Sequence, residues 1–367
     1  MMRATNDGRL GKVSLGLFLL ALASAPLAAF GAGCSSSGSN ATPPAGSDAG
    51  DTDGGGEGDD AGETNYPPSC DPYEPRHTTP ELYIGPTGLE KKTVDLINSA
   101  EKTIDLSIYE IDTKSIIAAL KSAKSRGVTV RVVMDKNQNA AARSSLKNAG
   151  ITVNDASGNF PYFHVKVMIL DGDRALVSSA NFNDYSMQGE RNYAILDHDK
   201  DDIEGLQKLF DNDFAGKSDT PDLSCSRLIV SPVNARERLK ELIQSAQTKL
   251  DLSVMYITDP EMANAVKERQ AAGVAVRLLL ANPKWISDNA GSAQQFAAAK
   301  VPVKIMTAYD LHAKLIVTER AAFVGSENFS SNSLDQNREV GVFVTNPEPL
   351  AAIQKQFDND WAIGAKP

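Results

Sequence analysis

The amino-acid sequence predicts an α/β protein with two tandem α/β sandwich domains, related by a pseudo-twofold axis and each built on a mixed sheet flanked by helices. The first observation is an internal repeat with an offset of 146 or 147 residues, long enough to be a duplicated domain. The second is the alternation of helical and strand-like patterns in each copy. The third is an ordinary globular composition, with 41% hydrophobic and 23% charged residues, which excludes collagen-like, coiled-coil and wholly disordered chains.

The first 33 residues have the order of an export signal. Residues 1–12 form a short basic segment, residues 13–30 form an apolar segment, and small residues precede Cys34. The segment resembles a bacterial lipoprotein signal, which implies that Cys34 becomes the lipid-modified first residue of an outer-membrane lipoprotein. Plain secretion and an uncleaved membrane anchor are the alternatives, because the apolar run is about long enough to span a bilayer.

Residues 34–76 form an acidic segment rich in Gly, Ser, Asp and Pro. Residues 35–76 contain nine acidic residues and one basic residue, and so carry −8 of the formal net charge of −10. A segment with so few apolar residues cannot bury a core. We therefore expect a disordered tether between the membrane and the folded part.

Two cysteines remain when Cys34 is set aside. Cys70 lies where the folded part starts, and Cys225 lies at the junction of the two copies. In an exported protein such a pair can form a disulfide, and two free thiols are the alternative.

The two domains are expected at residues 77–220 and 221–367. In each copy an amphipathic helix precedes a β-rich run. A second helix and a second strand follow, so that each copy contains a βαβ unit of about 30 residues. Further strands and a closing helix, expected to end at Phe210 or Phe357, complete each copy.

Histidine and lysine occur at equivalent positions of the two copies. His164 and Lys166 are two residues apart in the first copy, as are His312 and Lys314 in the second. Residues i and i+2 of a strand share one face and lie about 6.5–7 Å apart, so each pair projects its side chains together. Lysine supplies positive charge, and histidine can attack or transfer protons. The pattern predicts an anion site with phosphate as the expected ligand.

Further polar residues follow each pair at matching distances. An acid lies five residues after each lysine, and a Ser-x-Asn run comes later with both polar side chains on one strand face. These residues are Asp171, Ser179 and Asn181 in the first copy and Glu319, Ser326 and Asn328 in the second. Serine and asparagine supply neutral donors to an anion. One such pattern is typical of an exposed polar strand, but its presence in both copies favours a functional site.

These motifs resemble those of the phospholipase D superfamily, whose pattern is HxK, four residues, Asp, and then Gly-Ser-x-Asn. The resemblance covers residues 82–362 and implies that the two halves meet face to face around one phosphodiester. One histidine then attacks phosphorus to form a phosphohistidine, and the other protonates the leaving alcohol. His164 is the preferred nucleophile, because attack from the first half is common in the family. The motif acid, here Asp171 or Glu319, is implied to be structural.

A later acid in the family hydrogen-bonds a histidine and orients it. Glu339, 27 residues after His312, matches this position in the second half. In the first half the same spacing ends near Asn192, which is 28 residues after His164, with Glu190 two residues before Asn192. Either Glu190 takes the orienting role or the two halves are asymmetric.

The resemblance implies an exported enzyme that hydrolyses a phosphodiester, with a phospholipid headgroup as the expected leaving group. A metal-independent endonuclease, a cardiolipin synthase-like phosphatidyltransferase and a non-catalytic phosphate-binding module are the alternatives. Residues 77–367 carry a net charge of −4, and only 6% of the chain is aromatic, which argues against binding of nucleic acid. No metal or other cofactor is expected, and two half-sites in one chain favour a monomer.

Overall fold

Each half of the chain folds as a seven-stranded mixed sheet with helices against its faces. The computed structural model describes residues 70–367. The expected signal segment, the lipidation site Cys34 and most of the expected tether lie outside these residues. Within the described residues, no helix is both long and apolar enough to cross a membrane. The two sheets confirm the predicted fold class.

The helices and strands follow the same order in both halves. The first half contains β1 (Glu81–Ile84), α1 (Leu89–Ser99), β2 (Thr103–Ile108), α2 (Lys114–Ser125), β3 (Thr129–Met134), α3 (Ala140–Asn148), β4 (Thr152–Asp155), β5 (Lys166–Leu170), β6 (Arg174–Ser178), α4 (Asp184–Gln188), β7 (Glu190–Arg191), β8 (Tyr193–Asp197) and α5 (Lys200–Phe214). The second half contains β9 (Leu228–Ser231), α6 (Ala235–Ser245), β10 (Lys249–Val254), α7 (Pro260–Ala271), β11 (Ala275–Leu280), α8 (Asn289–Ala298), β12 (Val303–Ile305), β13 (Asp310–Leu311), β14 (Lys314–Thr318), β15 (Ala322–Gly325), α9 (Ser331–Asp335), β16 (Glu339–Val344) and α10 (Pro347–Ile363).

The two sheets also share one strand order. It reads β1-β8-β6-β5-β2-β3-β4 in the first sheet and β9-β16-β15-β14-β10-β11-β12 in the second. The last three strands of each series pair in parallel, and the other neighbours pair antiparallel. Strands β5 and β14 are therefore the central strands, and each begins with the lysine of a His-x-Lys motif.

A hydrophobic core lies between the two sheets. Alternate residues of β5 and β14 pack there against each other's sheet and against helices α5 and α10. Two outer hydrophobic cores lie between the sheets and their helices. In one, α1, α2 and α3 pack on the first sheet, and in the other, α6, α7 and α8 pack on the second. The two halves thus share their central layer, which fixes the ends of the two central strands relative to each other.

Helices α5 and α10 continue past Phe210 and Phe357, where the sequence predicted their ends. The Asp-Asn-Asp runs that follow these phenylalanines were expected to lie outside the helices. Instead, the last aspartate of each run, Asp213 or Asp360, is buried in the final turns of its helix. Each of these aspartates forms an ion pair with an arginine, which compensates its burial.

Residues 70–76 pack on the second half, although they were expected to belong to the disordered tether. Tyr73 is 8% exposed and stacks on Phe343, with 5.3 Å between the ring centroids. Arg76 donates a hydrogen bond to the backbone carbonyl of Cys225. Disorder was predicted from the average composition of the segment, which does not show that individual side chains such as Tyr73 pack on the fold.

Cys70 and Cys225 form a disulfide, which confirms the bonded alternative. The bond joins residues 155 positions apart in the sequence. It ties the start of the described chain to the linker between the two halves.

Replacing both cysteines by serine is expected to lower the free energy of unfolding by roughly 2–5 kcal/mol, because a disulfide restricts the unfolded chain. Urea unfolding of the oxidised wild type and of the Cys70→Ser/Cys225→Ser variant measures the difference. The folded variant should retain its activity. Equal unfolding midpoints would contradict a stabilising role for this bond.

Candidate active site

The two His-x-Lys motifs meet where the central strands of the two sheets begin. Lys166 and Lys314 are buried, at 0% and 1% exposure, and His312 is 7% exposed. Each lysine turns back on its own motif: Lys166 Nζ donates to the carbonyl of His164 at 2.7 Å, and Lys314 Nζ donates to that of His312 at 2.6 Å. The histidine and lysine of each motif therefore lie together, as the strand spacing predicted.

The backbone of each histidine is held by the opposite half. The N–H of His164 donates to the carbonyl of Arg338 at 2.8 Å, and the N–H of His312 donates to that of Arg191 at 3.1 Å. Strands β7 and β13 pair in parallel just before His312, and Phe163 forms the equivalent parallel bridge to Arg338. These contacts bring the two halves face to face, as the family resemblance implied.

Glu339 orients the histidine of the other half. Its Oε2 lies 2.7 Å from Nδ1 of His164, and its Oε1 accepts hydrogen bonds from Ser333 at 2.5 Å and from Asn337 at 3.0 Å. An ionised carboxylate only accepts hydrogen bonds, so the proton of a neutral His164 is on Nδ1. This tautomer leaves the Nε2 lone pair free to react.

His312 has a different partner. Asn192 Oδ1 lies 3.1 Å from Nδ1 of His312, whereas Glu190 Oε2 lies 3.5 Å away. The Asn192 amide donates to Glu190 at 3.3 Å, and Ser186 donates to the same carboxylate at 2.5 Å. Asn192 is thus the nearer acceptor and Glu190 stands behind it, so the asymmetric alternative describes this half.

The two halves differ because glutamate and asparagine have exchanged positions on either side of an arginine. Residues 190–192 read Glu-Arg-Asn, and residues 337–339 read Asn-Arg-Glu. Each half therefore keeps one glutamate, one asparagine and one serine that donates to the glutamate. Because the order is reversed, only His164 has a carboxylate in close contact with its Nδ1.

Burial and neighbouring charges set the protonation of the two histidines. Burial lowers the pKa of His312 well below its ordinary value, and the charges of Lys314, Lys166 and His164 lower it further. Burial also lowers the pKa of His164, although Glu339 acts in the opposite direction. For Glu339, burial raises the pKa, but His164 and Lys166 more than offset this effect, so its pKa is lowered and it is ionised at neutral pH.

The two lysines are also shifted by burial. Burial lowers the pKa of Lys166 well below its ordinary value and that of Lys314 to about 7. Nearby carboxyl groups, including Glu339, act in the opposite direction on both. A bound phosphate anion would favour the charged lysines in the same way.

We expect kcat/KM to fall as pH rises above about 7, because deprotonation of Lys314, with its pKa of about 7, removes positive charge from the free site. The alkaline fall of kcat should occur at higher pH, since the bound phosphodiester stabilises the protonated lysines. Full pH profiles of both constants measure this difference. A kcat/KM that stays constant through neutral and mildly alkaline pH would contradict it.

Glu327 is a buried carboxyl group that the motif did not indicate. It occupies the x position of Ser-x-Asn, where the first half has Ala180. Its side chain fills space left by two glycines, since a Cβ on Gly325 or Gly341 would collide with Oε2. Burial raises the pKa of Glu327 well above its ordinary value, and the nearby charge of Glu339 raises it further. The paired glycines are the only sign of it in the sequence.

The motif serines follow the ends of β6 and β15 instead of lying within strands, and the hydroxyl proton of Ser179 is not free for a phosphate, both contrary to expectation. Ser179 Oγ donates to Asn192 Oδ1 at 2.8 Å and accepts the N–H of Tyr193 at 3.0 Å. Ser326 Oγ accepts the N–H of Val340 at 3.1 Å. The adjacent strand supplies these bonds, so the serines fix the strands that carry the orienting residues.

The asparagines keep unused hydrogen-bonding capacity. Within residues 70–367, the buried Oδ1 atoms of Asn181 and Asn328 have no hydrogen-bond partner. Asn181 is 7% exposed. Both residues stay predicted phosphate ligands through their amide groups.

The two motif acids lie away from the histidines and bind backbone. Asp171 accepts from three consecutive N–H groups at 2.7–3.1 Å, and Glu319 accepts from three at 2.7–3.4 Å, the donors being Glu101, Lys102 and Thr103, and Gln247, Thr248 and Lys249. Burial alone would raise the pKa of both acids, but these N–H groups hold it below the ordinary value. These backbone contacts agree with the predicted structural role, and Glu319 makes the contacts that Asp171 makes.

The assembled site has the groups needed for phosphoryl transfer. Two histidines from opposite halves, His312 buried and His164 half-buried, lie close enough to interact electrostatically, with Nδ1 of each directed to an acceptor. One imidazole can attack phosphorus while the other transfers a proton. The lysines and asparagines can offset the negative charge that develops on the phosphate oxygens.

Comparison with known proteins agrees with this class of site. A family model described as "Cardiolipin synthase, PLD-like domain" matches residues 93–214 and 239–361, more than half of the chain. The chain belongs to the phospholipase D superfamily of enzymes.

Three known proteins are similar to this chain. The chain is 25% identical over 346 residues to a cardiolipin synthase of Clostridium perfringens, covering 78% of this chain and 71% of the relative. It is 29% identical over 120 residues to a mitochondrial cardiolipin hydrolase of Xenopus tropicalis, covering 32% and 56%. The structure of a polyphosphate kinase from Porphyromonas gingivalis has a TM-score of 0.61 and 18% identity over 77% of this chain and 50% of that chain. This last likeness is one of fold alone.

Proposed function

We propose that the protein cleaves phospholipids at the headgroup phosphodiester through a phosphohistidine on His164. The observation that carries the proposal is the meeting of two histidine–lysine pairs from opposite halves, with an ionised glutamate bound to one histidine only. Two imidazoles divide the chemistry into attack and proton transfer.

Glu339 favours His164 as the nucleophile. A histidine that is phosphorylated on Nε2 and protonated on Nδ1 carries a positive charge. The carboxylate of Glu339, 2.7 Å from Nδ1, stabilises this cation. Asn192, the corresponding acceptor at His312, is neutral. The intermediate is therefore more stable on His164.

The proposed reaction has two steps. His164 Nε2 attacks phosphorus, the bond from phosphorus to the headgroup oxygen breaks, and His312 gives its proton to the leaving alcohol. In the second step His312 removes a proton from water, the resulting hydroxide attacks phosphorus, and phosphatidic acid leaves as the bond to His164 breaks. The anionic substrate offsets the lysine charges and thereby favours the protonated His312 that the first step needs.

Phosphatidyl transfer is a second candidate, favoured by the family model and by the C. perfringens relative. The first step is unchanged, but the hydroxyl of a second lipid takes the place of water. With phosphatidylglycerol as both donor and acceptor, the products are cardiolipin and glycerol. We propose an envelope location as well, because a lipid anchor at Cys34 would keep the site near phospholipid.

One set of assays separates the candidates. The purified protein is incubated with phosphatidylglycerol vesicles, a bis-aryl phosphate or single-stranded DNA, each at physiological salt and with excess chelator. We expect glycerol release with phosphatidic acid as the main product, slow turnover of the aryl ester and little DNA cleavage. Chelator should have no effect, because Lys166 and Lys314 supply positive charge at the phosphate.

The alternative products decide the outcome. Cardiolipin in place of phosphatidic acid would establish the transferase. Rapid DNA cleavage that salt suppresses would establish a nuclease, since affinity for DNA comes largely from phosphate contacts. Turnover of none of the three substrates would refute the proposed function.

A further inference from the structure

Two buried ion pairs cross between the halves beside the histidines. Arg338 in the second half donates to Asp213 of α5 in the first half, at 3.1 Å from Nε and 2.9 Å from Nη2. Arg191 in the first half pairs with Asp360 of α10 in the second, at 3.0 Å. Arg338 is 0% exposed and Asp360 is 1% exposed, so water does not compete for these charges.

Each arginine lies in the segment that holds a histidine of the opposite half. The carbonyl of Arg338 accepts the N–H of His164, and the next residue, Glu339, binds the imidazole of His164. The carbonyl of Arg191 and the side chain of its neighbour Asn192 bind His312 in the same way. Each arginine is therefore the sequence neighbour of the residue that accepts a hydrogen bond from a histidine ring: Glu339 follows Arg338, and Asn192 follows Arg191.

Further contacts anchor the two guanidinium groups. Arg338 donates to Thr220 at 3.0 Å and to the carbonyls of Ser218 and Asp219 at 3.2 Å. Arg191 donates to the carbonyl of Gly85 and lies over the ring of Tyr309. The arginines are held on several sides, and the aspartates supply the opposite charges.

The Phe-Asp-Asn-Asp run, which occurs in both halves, contains two aspartates with different partners. Its first aspartate, Asp211 or Asp358, pairs with an arginine of its own half, Arg131 or Arg277. These aspartates are about half exposed, at 50% and 51% for the side chains. Only the second aspartate of each run reaches across to the segment that holds a histidine.

We propose that Asp213 and Asp360 are positioning residues, each of which acts through an arginine of the other half to align one histidine with its acceptor. Asp213 serves His164 and Asp360 serves His312. The catalytic consequence of this alignment rests on the proposed function, whereas the alignment itself does not. A shift of about 1 Å at a reacting group can lower a rate about 10²-fold.

The test uses Asp213→Asn and Asp360→Asn, which keep the side-chain volume and remove the charge. Asp211→Asn and Asp358→Asn are the matched controls. We expect kcat to fall by about 10²-fold in the first two variants, with KM changed less than about threefold. The controls should stay near wild type. Assays are run well below each unfolding midpoint, and Asp213→Glu, which keeps the charge but displaces it, should also be slow.

Histidine NMR supplies a readout that does not depend on substrate. The chain has four histidines, so their ring signals can be assigned by single replacements. Asp213→Asn should change the ring signals and pKa of His164 and leave those of His312 nearly unchanged, and Asp360→Asn should do the reverse. If the wild type has no activity, the proposed function fails while this measurement still tests the alignment. Lower thermal stability with normal kcat, or equal changes at both histidines, would overturn the proposal.

Discussion

His164→Ala and His312→Ala are each expected to lower kcat/KM by at least about 10⁴-fold, because the nucleophile and the proton donor act as one unit. The double variant should be little worse than either single variant for the same reason. His198→Ala is the matched control, since His198 pairs at 3.5 Å with Glu81, away from the site. It should keep nearly full activity.

The intermediate identifies the attacking histidine. A substrate labelled in its phosphatidyl part is mixed with enzyme, the reaction is quenched before turnover is complete, and peptides are mapped under conditions that preserve phosphohistidine. Label is expected on His164. It should be absent from His164→Ala, whereas His312→Ala can still accumulate it with a substrate whose leaving group needs no proton. Label on His312 would reverse the assignment, and label on neither would refute the covalent mechanism.

Glu339→Gln should have the second largest effect, a fall in kcat of about 10²- to 10⁴-fold. The carboxylate uses one oxygen for His164 and the other for Ser333 and Asn337. Glutamine has one acceptor oxygen, so it cannot satisfy both sides. It also removes the negative charge that stabilises the phosphohistidine.

Asn192→Asp is the informative comparison for Glu339→Gln. It gives His312 an acceptor of the same size, so we expect activity within about tenfold of wild type. Steady-state kinetics and thermal unfolding of both variants measure the effects. Equal losses in the two variants would mean that the two histidines have interchangeable roles, which would contradict the assignment of His164.

The repeat and the strand pattern predicted much of the fold and the site. The two His-x-Lys motifs lie 148 residues apart, close to the repeat offset of 146 or 147 residues, and period-2 alternation placed each histidine near its lysine. The family resemblance implied a structural role for Asp171 and Glu319, and both bind backbone N–H groups of their own half. These predictions succeeded because they depend on contacts within one half, where spacing along the chain determines geometry.

The remaining features depend on contacts that spacing does not encode. Glu339 binds a histidine 175 positions earlier in the sequence, and Asp213 binds an arginine 125 positions later. The serines were expected on a strand face at the phosphate, but β6 and β15 end one residue before them, and Ser179 donates its hydroxyl proton to Asn192. Tyr73 was hidden in an acidic segment whose average composition indicated disorder.

The exchanged Glu-Arg-Asn and Asn-Arg-Glu runs have a consequence for the origin of such a site. An assembly of two identical chains must give both histidines the same acceptor, so neither can be specialised by sequence. Once the two copies are encoded in one gene, each can acquire substitutions independently. Here both halves have one glutamate and one asparagine beside the arginine. Because their order is reversed, the two histidines have different acceptors. A single gene for both halves thereby allows the two histidines to have different roles in the reaction, which a symmetric assembly of identical chains does not allow.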